Sequence, residues 1–206
     1  MKDMMFTTKI GALEMNKPLF LFVGRSASGK TTIANMLAEK YGYYQVESYT
    51  TRKPRFDGEP GHIFVSEEEF KNLGELAAYT YYNNNHYGTT FEQLSESDIY
   101  VIDVPGVESL LEKLQSDTRP ICVIYFDTSV YNRILHMIDR GDSDMMVVAR
   151  LLQDEKEDWL KQLDSLVWKY ANIIGKNVQL YSINANSDLN QVLDLVVYYI
   201  KRCTEG

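Results

Sequence analysis

The stretch "PLFLFVGRSASGKTTIANMLAEKY", residues 18–41, constrains the fold more than any other part of the chain. It opens on a continuous apolar run, residues 18–23, of the kind that is buried on both faces of a parallel sheet. Residues 30–41 then place Ile33, Met36, Leu37 and Tyr41 on one side at helical spacing, with Gly42 as a stop signal. Between strand and helix stands G-x-x-x-x-G-K-[ST], with Gly24, Gly29, Lys30 and Thr31 in its fixed places. A buried strand before this pattern and a helix after it are the context that makes it a P-loop. Small side chains at Ser26, Ala27 and Ser28 let the backbone curl so that its N–H groups face phosphate oxygens, and the helix start adds its positive dipole end. Lys30 supplies a point charge to the outer phosphates, and the Thr31 hydroxyl a ligand for Mg2+. The expected ATP-binding segment is Gly24, Arg25, Ser26, Ala27, Ser28, Gly29, Lys30, Thr31 and Thr32, with Mg2+ as the accompanying cofactor. The pattern leaves the phosphate acceptor open, because motors, GTPases and small-molecule kinases share it.

The rest of the chain repeats the strand–helix alternation. "YVIDV" (100–104), "CVIYF" (122–126) and "VQLYSINA" (178–185) read as further core strands. "VESLLEKLQ" (107–115), "TSVYNRILHMIDRG" (128–141), one long segment at 143–163 and a closing stretch at 187–202, capped by Ser187 or Asp188, read as helices. This order predicts an α/β protein of the P-loop NTPase fold, a parallel sheet flanked by helices. Residues 46–98 break the rhythm with Tyr, Thr, Asn and Gly, and predict a small, mostly β lobe inserted into the core.

Charge limits what the chain binds. With 21 Lys and Arg against 29 Asp and Glu, the net charge is −8, which argues against a general nucleic-acid binder. An acidic protein that handles anions must gather its arginines locally. "SYTTRKPR" does so, with Ser48, Arg52 and Arg55 close together; two guanidinium forks suit a phosphate monoester. Neither Cys122 nor Cys203 belongs to a disulfide framework or metal motif. No run approaches the ~18 apolar residues of a membrane span, and residues 1–16 lack a signal-peptide core. The expectation is a cytoplasmic enzyme with nucleotide substrates, without nucleic-acid or membrane partners, as a monomer or homodimer. Residues 1–16 read as loosely ordered or a short extension.

"TTRKPR", "HIFVSEEEF", "HYGTT" and "YVIDVPGV", in that order after the P-loop, resemble guanylate kinases, from about residue 18 to 158. The resemblance implies Mg·ATP + NMP → ADP + NDP, GMP or dGMP being the implied acceptor. It also implies three parts: a core (about 17–45, 97–135 and 160–206), an acceptor-binding lobe (about 46–96) and a helical lid (about 136–158). By position it makes Ser48, Arg52, Arg55 and Tyr87 ligands of the acceptor's phosphate. Thr89 and Asp103 become contacts to the base, with Asp103 near the metal. Arg140 and Arg150 match lid arginines that bridge the two nucleotides' phosphates and join Lys30 as catalytic residues. Arg133 matches more loosely a residue that packs on adenine. The chain departs from the family's pattern twice. Gly61-His62 stands for Asp-Tyr, leaving His62 to contact the acceptor phosphate, with charge assistance when it is a cation. Ala78 stands for the glutamate that accepts from guanine's Watson–Crick edge, and a slip to Glu75 would turn that side chain to the opposite strand face. Two alternatives stay open: a kinase of the same fold for another nucleotide or for ribose 1,5-bisphosphate, and a non-catalytic interaction module.

Overall fold

A computed structural model describes residues 17–156 and 158–205, so the reading of residues 1–16 lies outside the described residues. In chain order the elements are β1 (Leu19–Val23), α1 (Lys30–Tyr41), β2 (Ser48–Thr50), β3 (His62–Phe64), α2 (Glu67–Lys71), β4 (Leu76–Tyr82), β5 (Asn85–Thr90) and α3 (Phe91–Ser95). They continue with β6 (Ile99–Val101), α4 (Val104–Lys113), β7 (Ile121–Asp127), α5 (Val130–Asp139), α6 (Asp144–Asp154) and α7 (Trp159–Trp168). A π-helical turn over Lys169–Ile174, β8 (Val178–Asn184) and α8 (Leu189–Glu205) complete the chain.

The core sheet has the order β6-β1-β7-β8 and is parallel throughout. Strand alternation divides its apolar residues between two layers. Leu19, Leu21 and Val23 join Val107, Leu110, Leu111 and Leu163 on one face. Phe20 and Phe22 join Ile33, Leu37, Val192 and Val196 on the other. Both faces of β1 are therefore covered, which is why its run is apolar without a break. Each of these large side chains contributes roughly 1.5–3 kcal/mol by leaving water. α1 buries Ile33, Ala34 and Leu37 and ends at Gly42, whose φ is 72°. Tyr41, expected on its buried side, is 52% exposed: it is the last residue of the helix, after the buried positions Ile33, Ala34 and Leu37.

The inserted segment forms a second sheet, β3-β2-β5-β4. β4 and β5 are a hairpin closed by Asn83 and Asn84 at φ 48° and 58°, the left-handed pair of a two-residue turn. Its short helices carry reciprocal caps, Ser66 with Glu69 before α2 and Thr90 with Gln93 before α3.

Two boundaries differ from the sequence reading. The single long helix expected over 143–163 is two, α6 and α7, because α6 closes at Glu155 and Asp158 caps a new start. The strand read at 100–104 ends at Val101, and Asp103 is the N-cap of α4 rather than a strand-end residue. Its Oδ1 accepts from the Gly106 N–H at 2.8 Å. The closing helix begins as expected, the Asp188 carboxylate accepting from the Asn190 N–H at 2.8 Å.

Candidate active site

Where β1 ends, the chain curls into the glycine-rich loop. Gly24, at φ 158°, is so closely overlaid that a Cβ there would lie 2.8 Å from Ser28 Oγ and 2.9 Å from the Phe126 carbonyl. Ala27 (φ 60°) and Gly29 (φ 91°) turn left-handed, the alternation that makes consecutive N–H groups converge into an anion nest. Lys30 lies over this nest. Its ammonium donates to the carbonyls of Gly24 (2.5 Å) and Arg25 (2.9 Å) and to Ser28 Oγ (3.1 Å). Burial pushes its pKa down to about 8, with Asp154 working in the opposite direction and Arg133 and Arg140 reinforcing the fall.

The loop opens on a cavity of about 480 Å³ lined by the core, the inserted sheet and the α5–α6 segment that the sequence reading assigned to a lid. Of the residues expected from sequence, Gly24, Ser26, Ala27, Lys30, Thr31, Thr32, Ser48, Arg55, His62, Tyr87, Asp103, Arg140 and Arg150 line it. Arg25, Ser28, Gly29, Arg52, Thr89 and Arg133 stand behind that wall. Arg25 pairs with Glu155. Thr89 is wholly buried on β5, beside the Tyr100 hydroxyl. Arg133, expected to pack on adenine, is 0% exposed: Nη2 donates to Asp154 (2.7 Å), Nη1 to Glu155 (2.9 Å) and Nε to the Ser26 carbonyl (3.0 Å). In this arrangement no face of its guanidinium is open to a base.

Each arginine pair is organised by a carboxylate that the sequence reading missed. In the lobe, Glu59 accepts from Arg52 Nη1 (3.1 Å) and Nη2 (2.9 Å) and from the Arg55 N–H (2.7 Å), and pairs with Arg55 Nη1 (3.2 Å). Burial alone would raise the Glu59 pKa, but these bonds and charges hold it below the usual value. Arg52 is stacked 5.3 Å from the Phe64 ring centre, and its Nε–H is buried with no partner among the described residues. In the lid, Asp142 accepts from Arg140 Nε at 2.9 Å and lies 3.6 Å from Arg150 Nε. Arg55 feels the charges of Arg150 and Arg140 as well as Arg52; with burial as the largest cause, its pKa drops to about 10, still cationic at neutral pH. Lobe and lid arginines therefore converge. Both carboxylates lie within four residues of an arginine they bind, a signal open to sequence reading.

His62 does not act as the cation that the sequence allowed. Burial, then the charge of Arg52, lowers its pKa to about 4 against the opposing pull of Glu59, so the ring is neutral. Its Nδ1 lies 3.0 Å from Ser48 Oγ. A serine hydroxyl donating there would leave Nε2–H as a donor, the tautomer useful to a phosphate.

At the base end, Ala78 is 1% exposed and packs into the apolar cluster with Val104 and Val107. Glu75 is no substitute, since it points outward and pairs with Lys113 at 3.0 Å. The polar group beside it is Asp103, whose Oδ2 accepts from Thr80 Oγ1 at 3.2 Å; Gln45, whose Oε1 is buried without a partner among the described residues, lines the cavity against Gly61. Burial raises the Asp103 pKa, opposed by its hydrogen bonds to Gly106 and Thr80 and by Lys30.

A glycine-rich anion nest at the end of a parallel sheet, facing an arginine-lined lobe and lid, defines a P-loop nucleotide kinase. The comparisons sharpen this class. No family model matches the chain. It is 33% identical over 159 residues to the guanylate kinase of Lactobacillus johnsonii, covering 68% of this chain and 74% of that one. To the guanylate kinase of Helicobacter pylori it is 32% identical over 165 residues, covering 72% and 78%. The solved guanylate kinase of Anaplasma phagocytophilum shares the fold, with a TM-score of 0.54 at 17% identity over 91% of this chain and 86% of that one. The chain belongs to the guanylate kinase family. Among the described residues, no helix is long and apolar enough to cross a membrane.

Proposed function

We propose that the protein transfers the γ-phosphoryl group of ATP to GMP or dGMP, giving ADP and the diphosphate. The observation that carries this reading is the convergence on one cavity of the phosphate loop, the lobe's Arg55 and the lid's Arg140 and Arg150. Two anions must approach each other there, and transfer spreads charge over the migrating group's oxygens. Lys30, released from the loop carbonyls, follows that charge from the ATP side. Arg140 and Arg150 meet it from the lid. On the acceptor side, Arg55 offers its guanidinium and Ser48, His62 and Tyr87 neutral hydrogen bonds, while Arg52, behind the cavity wall, adds positive charge and holds Glu59. The Ser48–His62 contact fixes the imidazole's orientation before the phosphate arrives.

Magnesium fits the donors present. The Thr31 hydroxyl and Asp103 carboxylate line the same cavity. Among the described residues no group of three acidic, His or Cys side chains could cage a metal alone. That suits an ion held mainly by phosphates and water with one or two protein ligands. When bound, Mg2+ neutralises charge on the nucleotide's phosphates.

Ala78 favours a second reading, in which the acceptor's base is selected loosely or the acceptor is another monophosphate. Coupled measurement of ADP release with GMP, dGMP, AMP, CMP, UMP and ribose 1,5-bisphosphate separates the two. Turnover highest with GMP or dGMP supports the first reading. Turnover with none of them overturns both.

A further inference from the structure

The mechanism leaves one buried acid unused. Asp154, the last residue of α6, is 1% exposed and lines the cavity at the phosphate loop. Its Oδ2 accepts from the backbone N–H of Ser26 at 2.8 Å, and its Oδ1 from the Ser26 hydroxyl at 3.3 Å. That N–H belongs to the curled loop whose donors bind phosphate in proteins of this kind. We propose that Asp154 is an internal competitor of the nucleotide's outer phosphates: a lid carboxylate that satisfies the phosphate loop until a triphosphate displaces it. The proposal rests on the reading that this loop binds ATP.

Three observations support displacement rather than permanent packing. First, the loop is satisfied from within on both sides. Asp154 takes the Ser26 donors while the Lys30 ammonium is folded onto the Gly24 and Arg25 carbonyls. A triphosphate, carrying more charge than one carboxylate, competes for both. Second, the carboxylate can leave without stranding its partner. Arg133 keeps Glu155 at 2.9 Å and the Ser26 carbonyl at 3.0 Å, so its release does not create an uncompensated buried cation, the outcome that makes most buried pairs costly to break. Third, the contact joins separate elements of the fold. It joins residues 26 and 154, one on the loop and one at the end of a lid helix, and Tyr82 of the lobe reaches the same Ser26 side chain. Loss of the Asp154 contact on ATP binding would leave the end of α6 tied to the loop region through Glu155 alone, loosening the placement of Arg150 one turn earlier. ATP occupancy would thereby be coupled to placement of the lid arginines.

The test uses the full chain and calorimetric titration with Mg·ATP, with inorganic tripolyphosphate, and with GMP as control. Asp154→Asn keeps an acceptor for Arg133 and removes the competing charge. ATP and tripolyphosphate should bind about tenfold tighter, the scale of one charged hydrogen bond, while GMP affinity stays within about threefold. A purely structural Asp154 would instead leave ATP affinity unchanged or weaken it, and an equal gain for GMP would reduce the effect to general electrostatics; either result overturns the proposal. If Asp154→Asn does not fold, the doubly apolar Arg133→Met/Asp154→Leu chain, of a kind buried pairs often tolerate, is read by the same criteria. In the unmodified protein, saturating tripolyphosphate should speed amide exchange in residues 144–156 while slowing it in the loop; slowing in both refutes displacement. Failure of the native chain to bind either triphosphate would overturn the ATP-binding reading itself, which separates that failure from failure of the latch.

Discussion

Replacing Glu59 tests how the acceptor's phosphate site is built. Its side chain is 6% exposed and holds both guanidinium groups of the lobe together with the Arg55 backbone N–H. Two effects of Glu59→Ala oppose each other. Removing a carboxylate beside an anion site lowers repulsion toward the incoming phosphate. Removing the anchor also leaves two like charges adjacent and unties the loop that carries Arg55. That loop includes Gly58 and Gly61 at φ 75° and 85°, and the carboxylate fixes it through four contacts. Charged hydrogen bonds contribute about 1.5–3 kcal/mol each, and breaking a buried pair costs about 3–5 kcal/mol. The arriving phosphate restores counter-charge but not the Arg55 N–H anchor, so a net loss near 1.5–3 kcal/mol of acceptor binding remains. The acceptor's KM should rise about 10- to 100-fold, with the KM for ATP within about threefold of native and Glu59→Gln falling between. Steady-state kinetics in both substrates reads this directly. An acceptor KM that is unchanged or lower in Glu59→Ala would show that the carboxylate only competes with phosphate, and would refute the anchoring argument. The Glu59 pKa is depressed by folding, so its contribution is present above the ordinary carboxylate value and is lost as pH falls through the folded one. The stability gap between native and Glu59→Ala protein should therefore close in acid.

Lys30→Ala should cut kcat by about 10³-fold or more while leaving the melting transition nearly intact, because the charge follows the transferring group and the loop is not core; near-native turnover would exclude the assigned role. His62 is neutral when folded, with a pKa near 4, but has its ordinary value of about 6.5 when unfolded, so the unfolded chain binds more protons between them. Native stability should rise with pH across that window, by up to about 3 kcal/mol, and His62→Asn should flatten the rise in denaturant titrations at stepped pH; an equal slope in the variant would refute the buried neutral ring. Ala78→Glu should lower the melting temperature and fail to improve the GMP-to-AMP ratio of kcat/KM, because an unpaired carboxylate would enter the cluster around Val104 and Val107. A variant of native stability with a higher ratio would show that the side chain reaches the cavity instead.

The core was legible because its strands are covered on both faces. Residues 18–23 and 122–126 read as unbroken apolar runs for that reason, and the glycine-rich loop carries its own spacing. The break between α6 and α7 was passed over although residues 153–158 are all polar and interrupt the apolar periodicity there, because none of them is Gly or Pro and such a run also suits the exposed face of one helix. The end of β6 was read three residues late, at 104 rather than Val101, because a strand that runs into a helix N-cap keeps its apolar pattern through Ile102. The lobe's arginines could be found from composition; their holder Glu59, four residues after Arg55, carried a signal in its spacing that was passed over because a carboxylate in a polar loop is common. Asp154 is the extreme case. Its partner Ser26 lies 128 residues away, and nothing local distinguishes it from the other acids of a chain with 29.

The same pairing of charges explains how so acidic a chain builds an anion site. Arg52 and Arg55 are held by Glu59, Arg140 and Arg150 by Asp142, and Ser26 with Arg133 by Asp154. Each carboxylate fixes the geometry of the donors that a phosphate would use, and keeps like-charged arginines from repelling one another while the site is empty. Binding is then an exchange of one anion's hydrogen bonds for another's, which favours multiply charged phosphates over single carboxylates. The base end is built differently. With Ala78 silent and Glu75 turned out to Lys113, discrimination there falls, on the proposed reading, to Asp103 and Thr80. Groups of this kind distinguish ligands by which donors they leave unmatched, at about 1–3 kcal/mol for each buried mismatch. On the proposed reading, phosphate recognition in this chain therefore rests on charge fixed by internal carboxylates, and base recognition on Thr80 and the buried Asp103.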